Sequence, residues 1–290
     1  MERCSAGWGA SWQNREVSRR SQFVPWATAG RVTERQGSAD EVVQATGWVF
    51  NNETGSSLTL EQFVSTGDQE VASYLTIFGL RDPDTDKKTL VEIGCGIGRM
   101  TCAFTREFGN VVACDLDAGF LERCHETVAR FGKKDHLQTL HVADGRSLDL
   151  APDSADMAFS YITLQHCDPN DALDLSAEAV RVVKPGGKVV LNYRSRANFD
   201  TVILPLGACM RALFRVPGLG GWLSSQRMFA RLGWQANRLQ PDEIIGPLSP
   251  LLRDIEIWRS PKSRTSGYKA SIKEFDGINK HHYWIIATTR

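Results

Sequence analysis

The chain has 290 residues, of which 42% are hydrophobic and 23% are charged, and its formal net charge is zero. This is ordinary globular composition, sufficient for one large core with appendages or for two small domains. The equal numbers of basic and acidic residues, 34 of each, leave no overall basic field that would favour a nucleic-acid partner. No stretch has the apolar length of a membrane span, and the first residues lack the apolar core of a signal peptide.

Cysteine usage indicates a reducing compartment. The seven cysteines are an odd number and are scattered without C-x-x-C pairs. We interpret those near predicted core elements as reduced thiols that act as small buried apolar groups, so the sequence predicts a cytoplasmic protein. These core cysteines are Cys95, Cys102, Cys114 and Cys124.

The first fifth of the chain has a different character from the rest. Residues 1–55 are rich in polar residues and Trp without clean periodicity, which predicts an irregular extension to a main domain at 56–290. Two interpretations stay open, an arm that packs on the body and a partly ordered tail. The second half of residues 56–80 has helical spacing, with Ser65 and Thr66 as capping candidates and Gly79 as its end.

From residue 89 onwards, strand-like and helix-like patterns alternate, which predicts a parallel sheet covered by helices on both faces. The predicted strands lie at 90–93, 111–114, 137–142, 157–162, 188–193, 254–258 and 283–289. The predicted helices lie at 99–108, 118–131, 171–183 and 241–249. The alternation breaks at 199–234, where apolar residues and arginines recur at helical spacing.

The sequence LVEIGCGIGRM at residues 90–100 is typical of a buried strand that turns sharply into a helix. Its glycines, Gly94, Gly96 and Gly98, permit backbone conformations closed to other residues and let a ligand approach the main chain. The start of the following helix offers unpaired N–H groups at its positive dipole end. The turn therefore suits a nucleotide-like cofactor, although its G-x-G-x-G spacing is one residue short of the dinucleotide fingerprint.

Acidic residues follow the next two predicted strands. Asp115 ends the second strand, where a carboxylate can accept hydrogen bonds from both ribose hydroxyls of an adenosine ligand. The alternative for Asp115 is a helix cap, for which Asp117 is the better candidate. Asp144 and Gly145 follow the third strand, where the carboxylate can accept a hydrogen bond from an adenine amino group. An Asx turn fits Asp144 equally well.

The sequence SYITLQH at residues 160–166 leaves the fourth predicted strand. Because ligands of parallel sheets bind outside the carboxyl ends of the strands, Tyr161, Gln165 and His166 are expected near a reaction centre. His166 is the first candidate for a general base, and Tyr161 and Tyr193 are weaker ones. The alternative is that His166 bonds the backbone and shapes the pocket.

In combination these motifs resemble the class I S-adenosylmethionine-dependent methyltransferases, and among them the bacterial UbiE/UbiG-like small-molecule group. The resemblance covers about residues 61–193 and rests on VEIGCGIG, the aspartate after VVAC, ADG, SYITLQHCDP and KPGGKVVL, in that order. It implies a Rossmann-like α/β fold with a seven-stranded, mostly parallel sheet, an antiparallel last strand and a helical insertion after strand five. It also implies S-adenosylmethionine as the cofactor and S-adenosylhomocysteine as the product.

The resemblance further implies that the glycine turn holds the methionine end of the cofactor, Asp115 the ribose and Asp144 the adenine. Arg99 would approach the methionine carboxylate. The cofactor-binding residues implied in this way are Glu92, Gly94, Cys95, Gly96, Gly98, Arg99, Asp115, Leu116, Asp144, Gly145 and Tyr161.

Departures from related families narrow the expected chemistry. The tetrad [D/N]-P-P-[F/Y/W] of nucleic-acid amino-methylases is missing at 165–168, and no Pro-Cys pair suits cytosine methylation. No second acid from the end of strand five accompanies Asp168 and Asp171, so we expect no metal. The acceptor is therefore predicted to be a small molecule rather than a nucleic acid.

A helical insertion at 199–240 is expected to lie over the acceptor site. It lacks Asp and Glu between residues 201 and 241, and its arginines at 211, 215, 227 and 231 form two pairs one helical turn apart. These features suit a hydrophobic or anionic acceptor, with an oxygen atom of an apolar, lipid-like or glycosylated metabolite as the first choice. They also suit weak membrane-surface contact through 199–234, and the alternative is an ordinary helical cap.

The sequence thus predicts a methyltransferase and leaves two other function classes open. An NAD(P)-dependent oxidoreductase shares the early adenosine features, and a non-catalytic cofactor-binding protein could use the same fold. The oligomeric state cannot be derived from these patterns.

Overall fold

The computed structural model describes residues 37–50, 58–233 and 237–290. Within these ranges a single sheet has eight strands in the spatial order β3-β2-β1-β4-β5-β8-β6-β7. The strands are β1 (Thr89–Ile93), β2 (Asn110–Asp115), β3 (Leu137–His141), β4 (Ala155–Ser160), β5 (Val183–Arg194), β6 (Leu252–Arg259), β7 (Ser271–Glu274) and β8 (His282–Thr289).

Strands β1 to β5 are parallel, and β8 lies antiparallel between β5 and β6. The predicted mostly parallel α/β sheet with an antiparallel last strand is confirmed. The chain order reverses between β1 and β4, so the carboxyl ends of these strands form a switch point of the kind that binds ligands in open α/β sheets.

The expectation of seven strands is wrong by one, because β7 adds a short parallel edge strand beside β6. All four of its residues are exposed. Ladder hydrogen bonds to β6, and not a buried apolar face, therefore hold this strand. Such a strand has no alternating apolar pattern that would reveal it in the sequence.

Helices flank the sheet and fill the connections between its strands. They are α1 (Ala39–Phe50), α2 (Leu60–Ile77), α3 (Thr101–Glu107), α4 (Ala118–Phe131), α5 (Pro169–Val182), α6 (Asp200–Phe214), α7 (Leu219–Ser225), α8 (Arg227–Gly233) and α9 (Pro241–Leu248). Helices α6 to α8 form the predicted helical insertion after strand five, of which residues 234–236 lie outside the described ranges. In the described part of the chain, no helix combines the length and apolar character that a bilayer span requires.

Two expectations about the first helices need correction. Helix α2 begins at Leu60 under a capping box formed by Thr59 and Gln62, and not at Ser65 or Thr66. Part of the 1–55 extension, expected to be irregular, is the helix α1, whereas residues 1–36 and 51–55 lie outside the described ranges. Tertiary burial explains α1, because its Val42 and Val43 are fully buried in the core cluster of α2 and α4.

The core lies on both faces of the sheet, as predicted. Apolar residues of α5 and α9 pack on one face, and residues of α2 and α3 pack on the other. The second face contains an aromatic group in which the Trp284 ring centroid lies 4.7 Å from that of Tyr74 and 5.4 Å from that of Phe159. This packing joins α2 to β4 and β8.

Candidate cofactor and acceptor site

The glycine turn after β1 is held by the end of β2. Backbone N–H groups of Gly94 and Cys95 both donate to the Cys114 carbonyl, at 2.8 and 3.0 Å. The Gly96 N–H donates to Asp115 Oδ2 at 2.8 Å. The chain therefore builds the turn as a rigid corner that exists before any ligand arrives.

All three predicted glycines have positive φ, at +83° for Gly94, +55° for Gly96 and +92° for Gly98. A Cβ at Gly94 would lie 2.1 Å from Thr163 Oγ1, so this position requires glycine for space as well as for φ. Thr163 Oγ1 also donates to the Gly94 carbonyl at 3.3 Å. The turn is thus in contact with the segment that leaves β4.

Glu92, at the end of β1, is buried and accepts a hydrogen bond from Thr101 Oγ1 at 2.6 Å. Burial raises its pKa to about 7, against the lowering effects of the Thr101 hydroxyl and the Arg99 charge. The carboxyl group joins the strand before the turn to the helix after it, and it lies inside the predicted cofactor corner.

Asp115 supports the turn from the opposite side. Its Oδ1 accepts the Asp117 N–H at 3.0 Å, while Oδ2 serves Gly96 as described above. Burial raises its pKa to about 6, although these backbone donors lower it. A carboxylate has about four lone-pair sites, so both oxygens retain capacity for the ribose hydroxyls predicted from the sequence. Asp117, in turn, caps α4 as predicted, by accepting the Phe120 N–H.

Arg99 is buried against α2. Its Nη1 lies 2.6 Å from Glu70 Oε2 and 3.2 Å from Thr66 Oγ1, and the guanidinium stands over the Phe63 ring. The structure therefore pairs Arg99 with the chain itself, and its contact with a methionine carboxylate stays a prediction. What the arginine does in the described structure is to fasten α2 onto the glycine turn.

Asp144 is exposed and organises its own turn. Its Oδ1 accepts the N–H groups of Arg146 and Ser147 at 2.9 and 3.0 Å. Partial burial raises its pKa, but bonds from Ser147 and Arg146 outweigh this effect and leave the pKa lowered. The Asx-turn alternative thus describes its local geometry, and the adenine contact stays a prediction. The neighbouring Gly145 approaches Leu116, whose Cδ1 lies 3.6 Å from the point where a Cβ would stand.

Tyr161 and His166 take different positions after β4. The Tyr161 ring stacks on Trp284 at 5.2 Å between centroids and packs edge-on against Tyr74, so it belongs to the edge of the aromatic core. His166 is half-buried, with its Nε2 3.1 Å from Gln165 Nε2. Between them, Ile162 has φ +53°, an unusual conformation for a β-branched residue that marks local strain.

Residues at the ends of β5 and β8 were missed by the sequence analysis. Asn192 is buried, and its Oδ1 lies 3.2 Å from His282 Nδ1 and accepts the Ile162 N–H at 3.4 Å. Burial lowers the pKa of His282 to about 3, and the Arg194 charge adds to this effect. The signal was available, since N-Y-R stands at the carboxyl end of predicted strand five, where the reasoning applied to strand four considered Tyr193 alone.

Within the described ranges, no group of three or more His, Cys, Asp or Glu side chains is arranged to hold a metal ion. The expectation that the protein uses no metal stays a prediction. What the described residues bring together is a glycine turn with two acidic residues at the ends of β1 and β2, beside a polar region at the ends of β4, β5 and β8.

The part of the chain that contains this site is similar to known proteins. Residues 91–191 match the family described as Methyltransferase domain. A carboxy-S-adenosyl-L-methionine synthase from Pseudomonas syringae pv. tomato is 31% identical over 121 residues, 40% of this chain and 48% of that protein. Phosphoethanolamine N-methyltransferase 1 from Triticum aestivum is 28% identical over 109 residues, 38% of this chain and 22% of that protein.

Among solved structures, magnesium protoporphyrin IX methyltransferase from Synechocystis PCC 6803, with bound S-adenosylhomocysteine, superposes with a TM-score of 0.50. Its identity is 13%, over 87% of this chain and 98% of that chain, so this likeness shows the fold. This chain spans less than half the length of the two curated relatives. The oxidoreductase alternative gains no support, and the narrower UbiE/UbiG-like assignment stays a prediction. Residues 91–191, from Val91 in β1 to Leu191 in β5, are therefore similar to a methyltransferase domain.

Proposed function

We propose that the protein transfers the methyl group of S-adenosylmethionine to a small-molecule acceptor. The observation that carries this proposal is the corner in which Asp115 and Cys114 hold the positive-φ glycine turn, inside the stretch that matches methyltransferase domains. Fold alone does not fix activity, so turnover by this chain is a proposal and needs its own test.

We assign the cofactor to the corner residue by residue. Glu92, Gly94, Cys95 and Gly96, with Gly98 and Arg99, would surround the methionine end; Asp115 and Leu116 would hold the ribose side; and Asp144 and Gly145 would hold the adenine side. When bound, the sulfonium supplies an already activated methyl group. The residues of this chain therefore need mainly to orient the acceptor and exclude water.

An oxygen atom is our first choice for the methyl acceptor, and His166 is our candidate base. An imidazole titrates near neutrality in its ordinary state and so suits removal of a hydroxyl proton. His166 lies three residues after Thr163, in the segment that follows β4. Since the Thr163 hydroxyl donates to the Gly94 carbonyl, this segment is in contact with the glycine turn. Tyr161 is the weaker candidate, since its ring is engaged with Trp284 and Tyr74.

The insertion supports an apolar, lipid-like or glycosylated acceptor and weak contact with a membrane surface. Of eleven large hydrophobic side chains exposed in the described part of the chain, eight lie between residues 199 and 228. Phe199, Met228 and Val202 are the most exposed of these, at 76%, 70% and 63%. Apolar area on the surface of one element is characteristic of a binding or membrane-contact region. A cytoplasmic location is retained as a prediction.

Calorimetry with S-adenosylhomocysteine and with NADH tests the cofactor, and labelled S-adenosylmethionine tests turnover. We expect heat with the first compound and none with the second. We then expect labelled methyl in the small-molecule fraction of a cell extract, and less of it with His166→Ala. Absence of heat with S-adenosylhomocysteine would overturn the proposal, whereas binding without any methyl transfer would favour the non-catalytic alternative.

A further inference from the structure

Arg194, at the end of β5, has no side-chain partner among the residues that the structure describes. Arg194 is half-buried, and its Nε is buried without a hydrogen-bond partner. Across residues 37–50, 58–233 and 237–290 the whole side chain makes neither a hydrogen bond nor an ion pair. A charge removed from water is costly unless it is paired, so such an arginine requires either a structural reason or a ligand.

From this we infer that Arg194 binds an anionic group of the methyl acceptor, a carboxylate or a phosphate ester. The inference rests on the proposed function, since it assumes that the carboxyl ends of β4 and β5 receive the acceptor. It adds to that function a negative charge on the substrate and identifies Arg194 as the residue that binds this charge.

The charged neighbours of Arg194 do not neutralise it. Arg238 and Asp200 form a buried ion pair at 3.1 Å, with side chains only 2% and 6% exposed. Asp200 Oδ2 also accepts the Ala197 N–H at 2.7 Å, so this oxygen serves two donors, neither of which belongs to Arg194. One acid between two guanidinium groups leaves a net positive charge. Burial and the Arg238 charge lower the pKa of Arg194 to about 10, and it remains protonated at neutral pH.

Arg194 is connected to the predicted reaction centre through the sheet. It lies opposite His282 in the antiparallel register of β5 and β8, so the two side chains share a face. His282 meets Asn192, and Asn192 accepts the N–H of the strained Ile162. Ile162 stands directly before Thr163, which contacts the glycine turn. An anion at Arg194 would therefore be anchored beside the segment that carries His166.

The chemistry of the side chain indicates the class of ligand. A guanidinium is a planar fork whose parallel N–H donors match the oxygens of a carboxylate or a phosphate. A second group, the buried Gln165 Oε1, also has no donor among the described residues, and the Gln165 carbonyl accepts the N–H of Asn237, the residue before Arg238. We assign this oxygen Oε1 to the same ligand as a hydrogen-bond acceptor. One end of the acceptor is thus predicted to be anionic and to carry or adjoin a hydrogen-bond donor.

The test uses the full chain saturated with S-adenosylhomocysteine and titrated with benzoate, phenyl phosphate and benzyl alcohol. We compare wild type, Arg194→Gln and Arg194→Lys with the control Arg253→Gln, which also removes one positive charge. The Arg253 side chain is half-exposed and forms an ion pair with Asp254. In the register of β6 and β8, Arg253 lies opposite Thr288, at the other end of β8 from His282. Circular dichroism and urea unfolding check that each variant folds.

We expect benzoate, phenyl phosphate or both to bind wild type at least tenfold more tightly than Arg194→Gln, with Arg194→Lys between them and Arg253→Gln unchanged. Which anion responds assigns a carboxylate or a phosphate, and benzyl alcohol should not distinguish the variants. Stability should not fall in Arg194→Gln, because an unpaired buried charge is removed. If S-adenosylhomocysteine binds but neither anion prefers wild type, the inference fails and the proposed function stands. If S-adenosylhomocysteine itself does not bind, both fail.

Discussion

The two halves of the ligand-binding edge differ in how far the chain satisfies its own polar groups. At the ends of β1 and β2, Glu92 has Thr101, and Asp115 has both Gly96 and Asp117. At the ends of β4 and β5, Gln165 Oε1 and Arg194 Nε are buried without partners in the described chain. Buried polar groups are normally paired. The first half therefore holds its own geometry and suits the proposed cofactor, whereas the second half contains the groups that we assign to the acceptor.

Gly94→Ala should break the preformed half most severely. A methyl group there would lie 2.1 Å from Thr163 Oγ1, and φ is +83°. We expect a loss of about 2–5 kcal/mol in the free energy of unfolding, from strained φ and overpacking together. S-adenosylhomocysteine affinity should fall at least about a hundredfold, equivalent to about 3 kcal/mol. Urea unfolding and calorimetry measure the two effects.

Gly186→Ala is the matched control for this substitution. Gly186 has φ +85°, yet a Cβ there would meet nothing within 4 Å. It should therefore show only the conformational cost, about 1–2 kcal/mol, and bind S-adenosylhomocysteine normally. Equal behaviour of the two variants would show that the close approach of Thr163 to the turn is unimportant.

The buried acid of the corner should make the apo protein less stable as pH rises. The pKa of Glu92 rises from 4.5 to about 7 on folding, so the folded state holds the proton more tightly than the unfolded chain. Its contribution is present at low pH and is lost between about pH 4.5 and 7. At about 1.4 kcal/mol per pKa unit, wild type should lose about 3 kcal/mol relative to Glu92→Gln.

Urea unfolding at pH 5 and pH 8, without ligand, measures this difference. Glu107→Gln is the control, because the Arg81 hydrogen bond lowers the pKa of Glu107. That acid is ionised at both pH values, so its contribution should stay constant. A difference between wild type and Glu92→Gln that does not change with pH would mean that Glu92 titrates normally.

Substitutions of Asp115 and Asp144 should weaken S-adenosylhomocysteine binding to different extents, because Asp144 is the more exposed of the two acids. Asp115→Asn weakens charge-assisted bonds worth about 1.5–3 kcal/mol, so S-adenosylhomocysteine affinity should fall about tenfold to a hundredfold. Asp144 is exposed and its oxygens serve its own turn. Asp144→Asn should therefore change the affinity by less than about threefold. An equal loss in both variants would contradict this order and favour a strong adenine contact.

The same contrast explains what the sequence could and could not predict. Helix α4 was predicted at its observed bounds, 118–131, because its cap, Asp117, and its apolar spacing are local signals. The glycine turn was equally legible, since its positive φ requires particular residue types. Helix α1 and strand β7 were missed because distant contacts stabilise them: Ala39 N–H donates to Glu126 Oε2, and β7 pairs with β6.

The acceptor half was only partly predicted for a related reason. Tyr161 and His166 could be proposed from the sequence because they follow an evident strand. The importance of Arg194 depends on Asp200 being engaged by Arg238, 38 residues further along the chain. No local sequence pattern predicts that Asp200 pairs with Arg238 and not with Arg194. The unpartnered charge of Arg194 is therefore evident only in the folded structure.

The smallest expected effect is on vesicle binding and concerns the exposed apolar side chains of the helical insertion. Phe199→Ser combined with Met228→Ser removes two of its most exposed apolar side chains. Partial insertion of such side chains into a bilayer interface is worth less than their full burial, so we expect about a threefold loss of binding to anionic vesicles, or about 0.6 kcal/mol.

The matched control is Leu251→Ser with Ile272→Ser, which are 55% and 43% exposed outside the insertion. Co-sedimentation with phosphatidylglycerol vesicles measures the bound fraction. If wild type does not sediment, or if both pairs lose equally, the apolar surface of the insertion serves the acceptor alone, and the membrane contact should be abandoned.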